Sequence, residues 1–63
     1  SEVEMVVQIN GKVRDRIMVA TGSDDETVRQ QCLQSPRVLQ QLEGKTVQKF
    51  IIVPGKLVNI VAR

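Results

Sequence analysis

The sequence predicts a small α+β domain with the element order strand, strand, helix, helix, strand, strand. Stretches rich in β-branched residues flank two reversing turns, Asn10-Gly11 near the start and Pro54-Gly55 near the end. Between them, two segments that begin with serine have the composition of helix starts. We therefore expect two β-hairpins to form one sheet, with two short helices on one face and the other face at least partly open.

The second hairpin, residues 44–61, holds most of the apolar side chains and is expected to form the core of the fold. The proline of its turn presets one φ and the glycine accepts the positive φ that follows. The apolar run from Phe50 to Val53 is continuous, which is typical of a strand that is covered on both faces or lies near the centre of a sheet. Core positions, or positions at its margin, are predicted for Val47, Phe50, Ile52, Val58 and Ile60.

The first hairpin has two possible registers around Asn10-Gly11. A two-residue type I′ turn would pair Ile9 with Lys12, which places the apolar side chains of one strand beside the basic ones of the other. A three-residue loop, with its glycine in the left-handed conformation, pairs odd positions with odd positions and sets Val7 opposite Val13. We prefer the three-residue loop because it keeps the apolar side chains on one face.

The preferred register also arranges the charged residues of the second strand. It sets Glu4 opposite Arg16 on the outside, which is a favourable cross-strand pair. Lys12, Arg14 and Arg16 then share one face of the strand. Asp15 is the exception, since an acidic residue occurs where inward-facing side chains are apolar. We expect Asp15 at an edge or a bulge of the sheet.

Two helices are predicted between the hairpins. Ser23, with Glu26 three residues later, forms a capping box for a helix over residues 24–33. The apolar stripe of this helix is thin, so it is expected to lie on the sheet surface. Ser35 is predicted to cap a second, shorter helix that has a proline at its first position and that Gly44 ends.

Length and composition limit the possible functions. The 63 residues make a single domain, 1–63, with one cysteine and no histidine, so neither a metal site nor a disulfide framework is expected. Cys32 lacks a base that would activate it and is predicted to be a small core residue. No apolar run approaches the ~20 residues of a membrane span. The chain does not begin with Met, and we expect it to be part of a longer protein.

The charge distribution favours a polyanionic partner over catalysis. Residues 22–43 contain four acidic and two basic side chains, whereas the flanking strand regions contain seven basic and three acidic ones. Helices packed on one face would therefore leave the molecule electrostatically polarised. Cations in a row suit RNA phosphates, although edge lysines that prevent strand pairing between molecules explain the same pattern. The near absence of aromatic residues argues against base stacking.

Two blocks of the sequence closely resemble the C-terminal domain of bacterial-type leucyl-tRNA synthetases. They are VVQINGKVRDRI, at residues 6–17, and EGKTVQKFIIVPGKLVNIV, at residues 43–61. Asp15 departs from the pattern, because the family often has glycine there. The resemblance implies a small β-grasp-like roll at the end of a large, cytoplasmic class I synthetase. It also implies that this part holds no cofactor and that ATP binds elsewhere in the parent enzyme.

The same resemblance implies that the domain contacts leucine tRNA near its elbow and long variable arm, with the rest of the synthetase chain as its other partner. Arg16 ranks behind the other candidates because Glu4 is expected to pair with it. The alternative function is a β-grasp-like protein-interaction module that docks through a sheet edge or an apolar patch. The RNA contacts implied are Lys12, Arg14, Arg16, Lys49, Lys56 and Asn59.

Overall fold

The computed structural model describes all 63 residues as one four-stranded sheet with two short helices. The predicted α+β class and element order are confirmed. Helices α1 and α2 pack on one face of the sheet, since every buried residue of β1, β2 and β4 lies on that face. The elements are β1 (Glu2–Ile9), β2 (Lys12–Ala20), α1 (Asp25–Leu33), α2 (Pro36–Leu42), β3 (Val47–Val53) and β4 (Leu57–Ala62).

The strand order in the sheet is β2-β1-β4-β3. The two central strands, β1 and β4, are parallel, and each pairs with its own hairpin partner in an antiparallel manner. A β-grasp-like roll requires a late strand beside the first one, and β4 occupies that place. This order places the first and last strands side by side at the centre of the sheet and leaves β2 and β3 as its edges.

The continuous apolar run of β3 does not lie at the centre of the sheet, so that prediction was wrong. Phe50 and Ile52 pair with Ile60 and Val58 of β4 and pack against the core. The residues between them alternate onto the uncovered face, where Ile51 is 43% exposed. Of the two strands of the second hairpin, only β4 pairs with strands on both sides, so β4 and not β3 lies at the centre.

The core consists of eleven buried residues, all of them apolar. The predicted core and margin positions are confirmed, since two of the five are buried and the other three pack against the buried cluster. The guanidinium of Arg29 on α1 lies 5.4 Å from the centre of the Phe50 ring, which joins the helix to β3. The buried residues are Met5, Val7, Ile9, Val19, Val28, Cys32, Val38, Leu42, Val58, Ile60 and Ala62.

The first hairpin has the two-residue turn, so the predicted three-residue loop was wrong. Asn10 and Gly11 have φ values of 54° and 83°, as a type I′ turn requires, and Ile9 pairs with Lys12. A bulge then restores the expected parity, because Val13 pairs with Gln8 while Asp15 pairs with Val7, and the residue between them has no partner. From Asp15 onward the side chains of β2 reach the predicted faces, through a bulge and not through the turn, whereas Val13 lies on the uncovered face and not opposite Val7 as predicted.

The start of α1 also differs from the prediction, whereas the start of α2 agrees with it. The cap of α1 is Asp24, whose carboxylate accepts a hydrogen bond from the Thr27 amide at 2.9 Å. Ser23 is not the cap because its hydroxyl donates to the Ala20 carbonyl at 2.6 Å. Ser35 caps α2 as predicted. Gly44, at φ 78°, follows the last turn of α2 and ends it.

Candidate nucleic-acid interface

The bulge in β2 separates the three basic residues that were predicted to share a face. Lys12 lies opposite Ile9, whose side chain is buried under the helices, while Arg16 lies opposite Val6 on the uncovered face. Cross-strand partners point to the same side of a sheet. Lys12 and Arg16 therefore belong to opposite faces, and Arg14, which is the extra residue of the bulge, lies between them. The prediction of one basic face was wrong because it assumed an unbroken strand.

The predicted pair between Glu4 and Arg16 was also wrong. Glu4 lies opposite Met18, two positions further along β2. The whole cross-strand register after the bulge is shifted by two residues from the expected one, because the turn is shorter and the bulge adds a residue. Arg16 consequently has no carboxylate partner, and the reason for ranking it behind the other candidates no longer applies.

Nearly all the cations of the chain are free of carboxylates. The only ion pair joins Arg29 to Glu26 at 3.0 Å, within the first turns of α1. Eight of the nine lysine and arginine residues therefore lack an ion-pair partner. All five basic candidates, on β2, on β3 and in the last turn, are solvent-exposed. Their charges are available to an external anion without the breaking of an internal ion pair.

The uncovered face of the sheet, which we call the open face, contains two further candidates. Lys49 on β3 lies opposite Val61, and Asn59 on β4 lies between Gln8 and Ile51. The side-chain oxygen of Asn59 accepts a hydrogen bond from the Gly11 amide at 3.1 Å, so it fastens the first turn to β4. Its amide nitrogen has no partner within the chain and can still donate to a ligand.

Lys56 lies in the turn between β3 and β4. Its backbone amide donates to the Val53 carbonyl at 3.0 Å and its carbonyl accepts from the Val6 amide at 3.1 Å. Gly55 has φ 72°, and together with Pro54 at the preceding position it forms the predicted reversing turn. The backbone of Lys56 is thus fixed on two sides while its ammonium group stays exposed.

Asn10, in the first turn, has a structural role. Its side-chain nitrogen donates to the Ala62 carbonyl and its side-chain oxygen accepts from the Ala62 amide, both at 3.0 Å. The side chain thus continues the pairing of β1 with β4 beyond the end of β1. Both polar atoms are used, so we assign Asn10 to the fold and not to ligand contact.

A basic groove, missed by sequence reasoning, runs along the outer edge of β2. It has a volume of about 390 Å³ and includes Arg37 from α2. Arg37 was missed because it belongs to the acidic middle segment of the sequence. The one residue that could have indicated the groove was Asp15, an acid on the inward parity that was expected at an edge or a bulge. Asp15 is next to the bulge of an edge strand, as expected. The groove is lined by Val13, Arg14, Asp15, Arg16 and Arg37.

Asp15 fastens the start of α2 to β2. The Ser35 hydroxyl donates a hydrogen bond to the Asp15 carboxylate, and the Oγ atom of Ser35 also accepts one from the Val38 amide at 3.4 Å. The hydrogen bond from Ser35 lowers the pKa of Asp15, and the positive charge of Arg37 contributes in the same direction. Asp15 is therefore ionised at neutral pH, and Ser35 both caps the helix and binds this carboxylate.

The open face also exposes apolar side chains. Val13 and Met18 on β2 are 53% and 50% exposed, and Ile51 and Val53 on β3 are 43% and 38% exposed. Partly buried Val6, Leu57 and Val61 lie on the same face, on the two central strands. Apolar surface at both edges and at the centre of one sheet face is a feature of interaction surfaces.

Cys32 is fully buried between α1 and the sheet, which confirms its prediction as a core residue. Burial, together with a smaller contribution from the negative charge of Asp15, raises the pKa of the Cys32 thiol to about 11. The thiol is therefore protonated at neutral pH and has the character of an inert, apolar side chain. Neither helix of the chain is long and apolar enough to cross a membrane.

No protein-family model matches the chain. The chain is 52% identical, over 60 residues and 95% of its length, to the leucine–tRNA ligase of Roseiflexus castenholzii (strain DSM 13941 / HLO8). It is 47% identical, over 62 residues and 98% of its length, to the leucine–tRNA ligase of Clostridium tetani (strain Massachusetts / E88). The chain spans only 7% and 8% of the length of these two relatives.

A solved structure shows the same fold. It is the crystal structure of the ternary complex of Agrobacterium radiobacter K84 agnB2 LeuRS-tRNA-LeuAMS, which the chain matches with a TM-score of 0.94. The match covers 98% of this chain and 8% of that chain, at 24% sequence identity. At this identity the similarity establishes the arrangement of the strands and helices alone.

Proposed function

Because the chain belongs to the leucyl-tRNA synthetase family and corresponds to part of its C-terminal region, we propose that it binds the elbow and variable-arm region of leucine tRNA. In this role it positions the tRNA for aminoacylation by the rest of the synthetase chain, its second partner. ATP is bound, and leucine is joined to the tRNA, in parts of a cytoplasmic enzyme that lie outside this chain. We assign the fold to the β-grasp-like class on the same grounds.

One observation carries the proposal: eight of the nine basic side chains have no ion-pair partner. An exposed cation that contacts a phosphate releases the counterions condensed on the RNA, which favours binding at low salt. A cation already paired with a carboxylate gains less from the same contact. The five basic candidates are all of the unpaired kind, and we assign phosphate contacts to Lys12, Arg14, Arg16, Lys49 and Lys56.

The composition of the surface favours contacts with backbone and sugar over base stacking. Phe50 is the only aromatic residue, and it is partly buried beneath the guanidinium of Arg29. No aromatic side chain is therefore free to stack on an unpaired base. Asn59 is the one candidate for a base or ribose contact, through its free amide nitrogen. We accordingly propose recognition of tRNA shape.

The solved structure with the same fold supports a tRNA partner, since that complex contains tRNA. The two leucine–tRNA ligases support leucine tRNA as the kind of tRNA bound. Both arguments depend on the membership of this chain in the same family as these relatives.

The test uses the full-length synthetase that contains this chain, and measures its affinity for leucine tRNA by filter binding. Lys12→Gln and Lys49→Gln are each expected to weaken binding several-fold and to reduce the slope of log K against log salt by about 1. Arg29→Gln is the matched control, because the charge it removes is already paired with Glu26. Unchanged affinity in both lysine variants would overturn the proposal.

A second candidate function is a protein-interaction module, and the apolar open face favours it. Val13, Met18, Ile51 and Val53 together form the exposed part of such a surface. This function predicts that the chain associates with another protein surface even at high salt. Met18→Glu is expected to abolish this association and to leave the affinity for tRNA unchanged. The matching test of the tRNA-binding function uses a leucine tRNA whose variable arm has been shortened. Its affinity for the synthetase is expected to be lower only if the chain binds this part of the RNA.

A further inference from the structure

The groove along the outer edge of β2 concentrates positive charge. Three of its five lining residues are arginines and one is an aspartate, which leaves a net charge of +2. Arg14 is the extra residue of the bulge in β2 and Arg16 follows two positions later, whereas Arg37 comes from the first turn of α2. The other concave site, beside the start of α1, has no lysine or arginine in its lining.

The position of Arg37 follows from the way α2 begins. Ser35 caps the helix and donates its hydroxyl to Asp15, which fixes the first turn of α2 against β2. Arg37 is the second residue of that turn and therefore lies at the groove. Asp15 forms no salt bridge with an arginine, and its carboxylate instead accepts a hydrogen bond from the Ser35 hydroxyl. The guanidinium donors of the groove are thus left for an external anion.

The bulge contributes to the shape of the site. An extra residue bends a strand locally and changes the direction of its side chains. Arg14 is that extra residue, and it lines the groove together with Arg16, which belongs to the open face. The groove therefore reaches around the edge of the sheet, from the helix-covered side to the open side.

We propose that this groove binds a backbone phosphate of the tRNA through Arg14, Arg16 and Arg37. The inference rests on the tRNA binding proposed above, and it adds Arg37 and a defined ligand group. A planar guanidinium presents two parallel N–H donors to the oxygens of a phosphate, which an ammonium group does not. A phosphodiester carries a single negative charge, so the groove attracts it even with Asp15 ionised.

The first experiment measures the affinity of the full-length synthetase for leucine tRNA in three variants. Arg37→Gln is expected to weaken binding about fivefold, since a charge-assisted hydrogen bond at an exposed site is lost. Arg37→Lys keeps the positive charge but lacks the paired N–H donors of the guanidinium. On a logarithmic scale, its loss of affinity is expected to be at least half of that of Arg37→Gln. Arg63→Gln is the matched control, because Arg63 is exposed and lies outside the groove. Its expected change is less than about twofold.

The second experiment locates the phosphate. Ethylation of single tRNA phosphates is expected to weaken binding at one or two positions. In Arg37→Gln, ethylation at the same positions is expected to have no further effect on binding. Thermal unfolding of each variant is expected to match the parent, because Arg37 is exposed and makes no hydrogen bond through its side chain.

The outcomes separate this inference from the function on which it rests. If Arg37→Gln binds like Arg63→Gln while Lys12→Gln and Lys49→Gln bind weakly, tRNA binding stands and the groove is not a phosphate site. If Arg37→Lys binds like the parent, the forked contact is wrong. If no variant of a basic residue alters affinity, the proposed function fails together with the groove.

Discussion

The helix-covered face of the sheet and the open face are made from alternate residues of the same strands, and they differ in burial. On the covered face Met5, Val7 and Ile60 are at most 1% exposed, whereas Met18 and Ile51 on the open face are 50% and 43% exposed. The difference teaches that the side of the sheet on which a residue lies, more than its type, decides whether its side chain is buried in the core or exposed to a partner. Predictions about stability and binding should follow this division.

The covered face also explains how so short a chain is held together without a disulfide. Both helices contribute buried residues to one cluster, and no buried side chain has an unsatisfied polar atom. A domain of this size buries only about 60% of its unfolded surface, so each core residue accounts for a large share of the stability. Substitutions on the two faces are therefore expected to differ sharply.

The largest expected effect compares the same substitution on the two faces. Ile60→Ala is expected to lower the free energy of unfolding by about 3 kcal/mol, because it leaves a cavity in the centre of the sheet. Ile51→Ala, next to it in the sheet but 43% exposed, is expected to cost less than about 1 kcal/mol. Urea unfolding of the 63-residue chain, followed by circular dichroism, measures both. Equal losses would contradict the division between the faces.

The next effect concerns the junction between the first turn and β4. Asn10→Ala removes both hydrogen bonds to Ala62 and puts an alanine at φ 54°. The combined loss is expected to be about 2 kcal/mol in urea unfolding.

Asn10→Gly separates the two contributions. It relieves the backbone strain but still lacks the hydrogen bonds, and is expected to recover roughly half of the loss. If the glycine variant is as stable as the parent, the bonds to Ala62 contribute nothing.

A smaller effect depends on pH. The pKa of Asp15 is lowered in the folded chain, so its ionisation stabilises the fold above the unfolded pKa, and this contribution is lost as pH falls through the folded value. We expect stability to fall below about pH 4. In Asp15→Asn, stability at neutral pH is lower and the fall is shallower, since the contribution of Asp15 is gone while the lowered pKa of Asp24 remains. Urea unfolding at several pH values measures the difference between the two curves.

Ser35→Ala tests the same contact from its other side. It removes the cap of α2 and the donor to Asp15, and is expected to cost about 1 kcal/mol at neutral pH. The Ser35→Ala and Asp15→Asn losses should not add in the double variant, because the two residues share one hydrogen bond. Full additivity would mean that the contact between β2 and α2 does not contribute.

The element order and much of the core could be predicted because they depend on local patterns. The alternation in β1, the Pro54-Gly55 turn and the Ser35 cap each follow from a few neighbouring residues, and the structure has all three. The parity of β2 was predicted correctly from Asp15 onward, but it was wrong for Lys12 and Val13, as were the turn and the register. The predicted longer loop and the observed bulge each shift the register by one residue, in opposite directions, so the two arrangements differ by two residues and have the same parity after the bulge.

The groove could not be predicted, because it depends on a contact between distant segments. Arg37 is more than twenty residues from Arg14 and Arg16 in sequence, and only the packing of α2 on β2 brings them together. The edge position of β3 was missed for a similar reason. Its apolar run is as continuous as that of a central strand, and only the parallel pairing of β1 with β4 decides which strand lies at the centre.

The smallest expected effect on stability uses the two methionines, which lie on opposite faces of the sheet. Met5 is 1% exposed on the covered face and Met18 is 50% exposed on the open face. Mild peroxide is therefore expected to convert Met18 to the sulfoxide while Met5 remains unmodified, as peptide mass spectrometry would show. Because Met18 makes few core contacts, the oxidised chain should unfold within about 0.5 kcal/mol of the parent. Oxidation of both methionines at similar rates would mean that the helices leave the covered face often enough to expose Met5, and the structural contrast between the faces would then be one of average position only.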